Sequence, residues 1–233
     1  MDRTFTCVVG ERGYRRSFEL NRSDAAHTRA SALTRRNAMR RLAAFSPFAE
    51  PPVNTLHLEL RTATARQHQD LDAALAGALD DRRGYTRYLL GMLALVELLA
   101  AAPTAVDARA AWSEWFDPRR QALLRQDLRD LGLLPLAHGL APLPGSSWMG
   151  ANYVLEGSAL GARVLLRAAE RLRLREPGLP LAFLQHHARR GDRWPRFVDE
   201  LQTLEGGLRA DAVRGARLAF GVVADGLIEK ESA

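Results

Sequence analysis

Apolar positions recur every three or four residues from Leu56 onward, and strict alternation is absent, so the pattern predicts one helix after another. Leu56–Leu79 is the first, entered through Pro51, Pro52 and Asn54, with Asn54 or Thr55 as its cap. At about 100° per residue, Leu60, Thr64, Leu71 and Leu75 share a side with His68, which puts the imidazole on the buried stripe of an otherwise polar helix. Tyr85–Ala102 is apolar nearly all round, the pattern of a central buried helix, and Glu97 within it reads as paired or near the helix edge. A third helical region spans Ala105–Trp115. Pro118 opens a fourth, which Gly132 ends as its C′ residue. Leu133–Ser147 holds Pro135, Pro142, Pro144 and Gly145 and reads as a loop over the core. Ser147 then caps a long helix through Glu170 or beyond. Pro177–Pro180 breaks the chain, and Leu181–Arg190, Trp194–Gly206 and Leu208–Glu229 supply the last helices. The expectation is an all-α, single-domain helical bundle over residues 51–233, with no internal repeat.

Residues 1–50 differ: they are rich in Arg and Ser and poor in periodic apolar positions, with only a weak amphipathic stretch at Ser31–Phe45. They read as a disordered basic extension. The composition also suits a transit peptide, and Met39 offers an alternative start. This extension holds ten of the 33 basic and five of the 27 acidic side chains, so it carries most of the net charge of +6. The remainder is almost neutral, without a basic helix face or an aromatic platform. Nucleic acid is therefore excluded as a partner despite a pI near 10.3. Lys230 is the only lysine, which reads as a coding bias toward Arg. The single cysteine, Cys7, excludes an internal disulfide, a CxxC pair and a four-cysteine iron–sulfur cluster, so any redox chemistry draws electrons from outside. The most apolar run, Tyr88–Ala102, contains Glu97 and falls short of the roughly 18–20 residues a membrane span needs. The expected location is the cytoplasm.

Two segments carry candidate chemistry. In Tyr153–Leu165, Gly157, Ser158, Gly161 and Ala162 are read as sharing one helix face. Each interior glycine costs about 1 kcal/mol relative to Ala, so the bare backbone is expected to lie close to something. That something is either a neighbouring helix or a large flat ligand. The other segment is Leu60–Asp72, with His68 at its centre; a neutral imidazole is the commonest protein ligand for haem iron, although a histidine there also suits a satisfied core position.

Together the segments resemble the haem oxygenase family, specifically its bacterial biliverdin-producing branch, often found with bacteriophytochromes. The resemblance runs from about Leu56 to about Leu227. Leu60–Asp72 matches the first-helix motif LRxATxxxHxxLD, and Tyr153–Ala162 matches a distal motif like YVLEGSxLGG. Arg125–Gly132 and Trp194–Phe197 are smaller echoes. The resemblance implies haem as both substrate and cofactor, with His68 on the iron and Gly157 and Gly161 against the macrocycle. Ala162 stands where a second glycine is usual, and Ser158 where many relatives place an aspartate. Gly157, Ser158 and Gly161 are thus the implied catalytic positions, and His68, Gly157, Gly161, Ala162, Arg61 and Arg193 the implied haem contacts. The products implied are biliverdin, carbon monoxide and ferrous iron, formed with O2 and electrons from a ferredoxin or flavodoxin. A bacteriophytochrome is a candidate bilin acceptor.

Other residues stay open at this stage. Arg66, Arg163 and Arg196 are further candidates for the haem propionates, which arginine suits through its bidentate fork. Tyr85 and Tyr88 either reach a distal water network or anchor a helix end. His57, eleven residues before His68, is the rival axial ligand. His186 and His187 point about 100° apart, cannot clamp one metal, and read as a partly solvated helix end. His138 has no evident partner. The alternatives to an enzyme are a non-catalytic haem carrier or sensor, which Ala162 keeps in view, a thiamine-degrading type of helical enzyme, and a structural interaction module.

Overall fold

The computed structural model describes residues 55–100, 114–135, 139–143 and 145–228. The N-terminal extension with Cys7 and Met39, His138, Glu229 and nearly all of the third helical region lie outside the described residues. Those described form α1 (Thr55–Ala63), α2 (Ala65–Ala74), α3 (Arg82–Ala100), α4 (Pro118–Asp130), α5 (Gly145–Arg175), α6 (Ala182–Ala188), a 3₁₀ turn (Arg189–Arg193), α7 (Trp194–Leu201) and α8 (Gly207–Ile228). No strand occurs among them, so the all-α expectation holds.

The core is built on α3, α5 and α8. Helix α5 packs along α8, α8 lies on α3, α4 covers α3, and α6 with the 3₁₀ turn packs on α5. Glycine sets the closest of these contacts. A Cβ on Gly150 of α5 would run into the Ala212 carbonyl of α8, and a Cβ on Gly215 would run into the Ser147 carbonyl of α5. Two backbones therefore touch at two reciprocal points, which only glycine permits.

Helix α3 is buried on nearly every side, as its apolar run requires. Glu97 within it pairs with Arg125 of α4. Tyr85 donates to the Pro180 carbonyl at 2.9 Å and stacks beside Tyr88, so both tyrosines anchor the helix. Burial pushes both phenols far above their ordinary range. Helix α4 begins and ends where its punctuation residues stand. The Asp117 carboxylate accepts from the Arg119 N–H at 3.1 Å, Pro118 opens the first turn, and Gly132 closes the helix at φ 85°.

Several boundaries differ from the sequence pattern. The first helix breaks at Thr64, whose φ of −113° and ψ of 5° are not helical. Its hydroxyl donates to the Leu60 carbonyl at 2.8 Å, the back-bonding that bends helices at Thr. Past the break the packing is partial: Leu71 and Leu75 still lie against the core, but no residue of α2 is fully buried, and the helix stops at Ala74, before the turn at Gly77 (φ 78°). Helix α5 starts two residues before Ser147 and runs on to Arg175, and α7 stops at Leu201, short of Gly206. The segment after α6 tightens into a 3₁₀ turn, with Gly191 close enough to α5 that its Cβ would stand 3.2 Å from the Ala159 carbonyl.

Candidate functional site

The four small residues of α5 lie on two neighbouring ridges rather than one face. Gly157 and Gly161 form the outer ridge. A Cβ on Gly157 would sit 3.3 Å from the Trp194 ring, and a Cβ on Gly161 would meet nothing within 4 Å. Neither glycine serves a backbone contact between helices. Ser158 and Ala162 form the inner ridge. Ala162 is fully buried in the core, so its methyl does not line the outer ridge as a haem contact would require. The Ser158 hydroxyl donates to the Leu155 carbonyl at 2.8 Å and lies 2.9 Å from His187 Nε2. With the hydroxyl proton used there, the imidazole carries its proton on Nε2 and donates to Oγ.

Three aromatic rings gather over the outer ridge. Trp194, at the start of α7, lies 5.5 Å from His57 of α1 and 5.5 Å from Tyr153 of α5, ring centre to ring centre. His57 also stands 6.0 Å from Tyr153. Burial raises the Tyr153 phenol to about 12, and Arg61 pulls it the other way. Burial first, and then Arg61, lowers the His57 imidazole below its ordinary value. Arg61 is thus close enough to act electrostatically on both groups.

His68 is not on a buried stripe. Its side chain is 53% exposed, its Nδ1 lies 3.0 Å from the Asp72 carboxylate, and its ring stands 5.9 Å from Phe220 of α8. The non-helical dihedrals at Thr64 shift the register between α1 and α2, so Leu71 rather than His68 lies against the core. His57, the rival imidazole, is the one beside Trp194 and Tyr153. The other arginines are engaged elsewhere. Arg66 pairs with Asp70, Arg163 with Asp192, and Arg196 with Glu114. Arg193, expected at a pocket mouth, instead lies 4.5 Å over the Trp115 ring and donates to the Glu114 carbonyl at 2.8 Å.

The pair His186–His187 is not a solvated helix end. His187 is fully buried and stacked on Phe183 at 5.2 Å. Burial, followed by the electrostatic effect of Arg120, His186 and Arg190, holds its imidazole well below 6.5. His186 reaches the Asp117 carboxylate at 2.8 Å. Burial pushes Asp117 up, but the bonds from His186 and the Arg119 N–H, with the charge of Arg190, bring it below its ordinary value. Beneath them Arg120 and Glu156, both fully buried, pair at 2.8 Å. A signal for His187 was present in the sequence: Phe183, Leu184, His187 and Ala188 form a stripe at helical spacing, short but apolar.

No family model matches the chain. A heme oxygenase of Xanthomonas campestris pv. campestris (strain 8004) is 42% identical over 118 residues, covering 46% of this chain and 67% of the relative. A heme oxygenase from Neisseria meningitidis, solved with NO and with CO bound, superposes with a TM-score of 0.57 at 22% identity, over 76% of this chain and 94% of that one. The first likeness is one of sequence and the second of fold, and they agree on one class of helical protein. The chain belongs to the haem oxygenase family.

Proposed function

We propose that the protein cleaves haem oxidatively, yielding biliverdin, carbon monoxide and ferrous iron from O2 and electrons supplied by a ferredoxin or flavodoxin. A cytoplasmic location and a bacteriophytochrome as bilin acceptor belong to the same reading, as does a division into an extension (1–50) and a haem-handling domain (51–233). Beyond family membership, one observation carries it: Gly161 is a helix-interior glycine whose missing side chain makes room for no other part of the protein.

The residues fit haem in donor chemistry. A carboxylate on Nδ1 fixes a histidine's tautomer and leaves Nε2 as the ligand atom, the arrangement that Asp72 gives His68. His68 would hold the iron, Gly157 and Gly161 would admit the macrocycle, and Arg61 beside Tyr153 would take a propionate. When bound, haem supplies the redox centre and the carbon skeleton that is cleaved. The chain's own share is to bind, orient and hold protons. The Trp194 ring covers Gly157 and must leave it, and α2 must bring His68 round to the ridge. His187, kept neutral by burial, fixes the Ser158 hydroxyl through Nε2–H. Ala162, the residue that favoured a non-catalytic carrier, points its methyl into the core, which removes that motive.

Titration of the full chain with ferric haem tests the assignment. A Soret band forms, His68→Ala loses it, His57→Ala retains it, and Asp72→Asn weakens affinity by roughly 10-fold. Reductant and air then convert the complex to a green bilin. A band that survives His68→Ala but not His57→Ala would reverse the ligand assignment, and a bound haem that never yields bilin would defeat the enzymatic reading.

A further inference from the structure

Two short contacts fix the direction of the Ser158 hydroxyl, and with it what the side chain can offer a ligand on the neighbouring glycine ridge. Oγ lies 2.8 Å from the Leu155 carbonyl oxygen and 2.9 Å from His187 Nε2. A carbonyl oxygen carries no proton, so the contact at 2.8 Å needs the hydroxyl proton between the two oxygens. A hydroxyl has only one. Oγ therefore accepts from His187, and Nε2 bears the proton whether the imidazole is neutral or charged. His187 is fully buried and stacked on Phe183, and among the described residues its one hydrogen bond is this one, with Nδ1 left unpartnered. Such an imidazole is placed to serve that serine.

A serine oxygen has two lone pairs, of which His187 takes one. Ser158 is half-buried, directly after Gly157 and one turn before Gly161, so the remaining lone pair stands beside the ridge. Toward that ridge the side chain is an acceptor with no proton to give. It can hold a water through one O–H and leave the other O–H free for a ligand.

We propose that His187 is a positioning residue that makes Ser158 a pure acceptor beside the glycine ridge, where it holds the water that delivers protons. The role rests on the haem cleavage proposed above, because reduction of O2 consumes protons. The held water gives one up and regains one from solvent, while the serine keeps its own, directed at the Leu155 carbonyl.

Nuclear magnetic resonance of the nitrogen-labelled, haem-free full chain reads the ring directly. A proton on Nε2 and none on Nδ1 is expected at neutral pH, with the Nε2–H signal shifted in Ser158→Ala. A bare Nε2 overturns the proposal, because the serine then donates to the ring. In the haem complex, Ser158→Ala lowers the rate of bilin formation on the order of 100-fold, and Ser158→Asp, an acceptor without a proton, keeps most of it. His187→Leu reproduces the loss at unchanged haem affinity, and His187→Gln, whose amide N–H reaches the same point, restores the rate. A Ser158→Asp rate as low as that of Ser158→Ala, or a His187→Leu rate equal to wild type, refutes the assignment. The ring proton is read in wild type, even where a variant does not fold. A wild type that forms no Soret band removes the function and the role that rests on it, whereas a bare Nε2 removes this role alone.

Discussion

Helix α5 carries glycine in two regions that differ in what the missing side chain is for. At Gly150 the absent Cβ lets the backbone of α8 come into contact, with Gly215 returning the favour on the other helix. At Gly157 and Gly161, two and three turns further on, no helix backbone approaches. One glycine faces an indole and the other faces open space. All four glycines cost helix stability; Gly150 and Gly215 recover it through backbone contact and Gly157 through the Trp194 ring, whereas Gly161 meets nothing within the protein. That open position is what the proposed function reads as a binding surface.

Substitution by alanine separates the two regions most sharply. Gly150→Ala or Gly215→Ala forces α5 and α8 apart and costs about 3 kcal/mol or more, seen as a lower urea midpoint or as failure to fold. Gly161→Ala does the opposite, adding roughly 0.5–1 kcal/mol through helix propensity because its methyl meets nothing. Under the proposed function the same variant binds haem more weakly, so the urea midpoint and haem affinity move in opposite directions. A Gly161→Ala protein that is less stable, or that binds haem unchanged, would erase the distinction.

The smallest effect concerns pH, through His187 of α6 and Asp127 of α4. His187 has a folded-state value below its unfolded 6.5, so the unfolded chain binds the extra proton and stability is lost as pH falls through 6.5. Asp127 has the opposite sign. Burial raises its carboxyl to about 6, although it accepts the Phe183 N–H, so its contribution is full below about 3.8 and is lost as pH rises through 6. Between pH 7 and pH 5, His187→Asn therefore loses less melting temperature than wild type, and Asp127→Asn loses more. Parallel profiles for the three proteins would contradict both assignments.

The sequence made some elements plain and concealed others for physical reasons. Helix α3 was legible because a continuous apolar run too short to cross a membrane has one fate in a helical bundle, and α4 because Pro118 and Gly132 can each sit in few places. The break at Thr64 was not, since periodicity continues through a threonine whether or not its hydroxyl takes the carbonyl four residues back. His187 was hidden by the shortness of α6, seven residues being too few to show a stripe clearly. The contact of Gly150 with Ala212 joins positions far apart in the chain, so no local pattern announces it. In the candidate site, the helical setting of Gly157 and Gly161 was legible, but the exposure of His68 follows from the bend at Thr64, and the three-ring group over Gly157 and the polar cluster beneath Ser158 depend on α6, the 3₁₀ turn and α7 arriving from elsewhere.

The break at Thr64 divides the first helix into an anchored half and a peripheral one. Leu56 and Leu60 fasten α1 to the core, whereas α2, which carries His68, buries no residue completely. Leu71 is the apolar residue of α2 that lies against the core, so the imidazole rides on a helix whose packing on α8 leaves every one of its side chains at least partly exposed. Under the proposed function, a flat ligand would meet the ridge of α5 on one side and this short arm on the other, with the threonine at the bend between them.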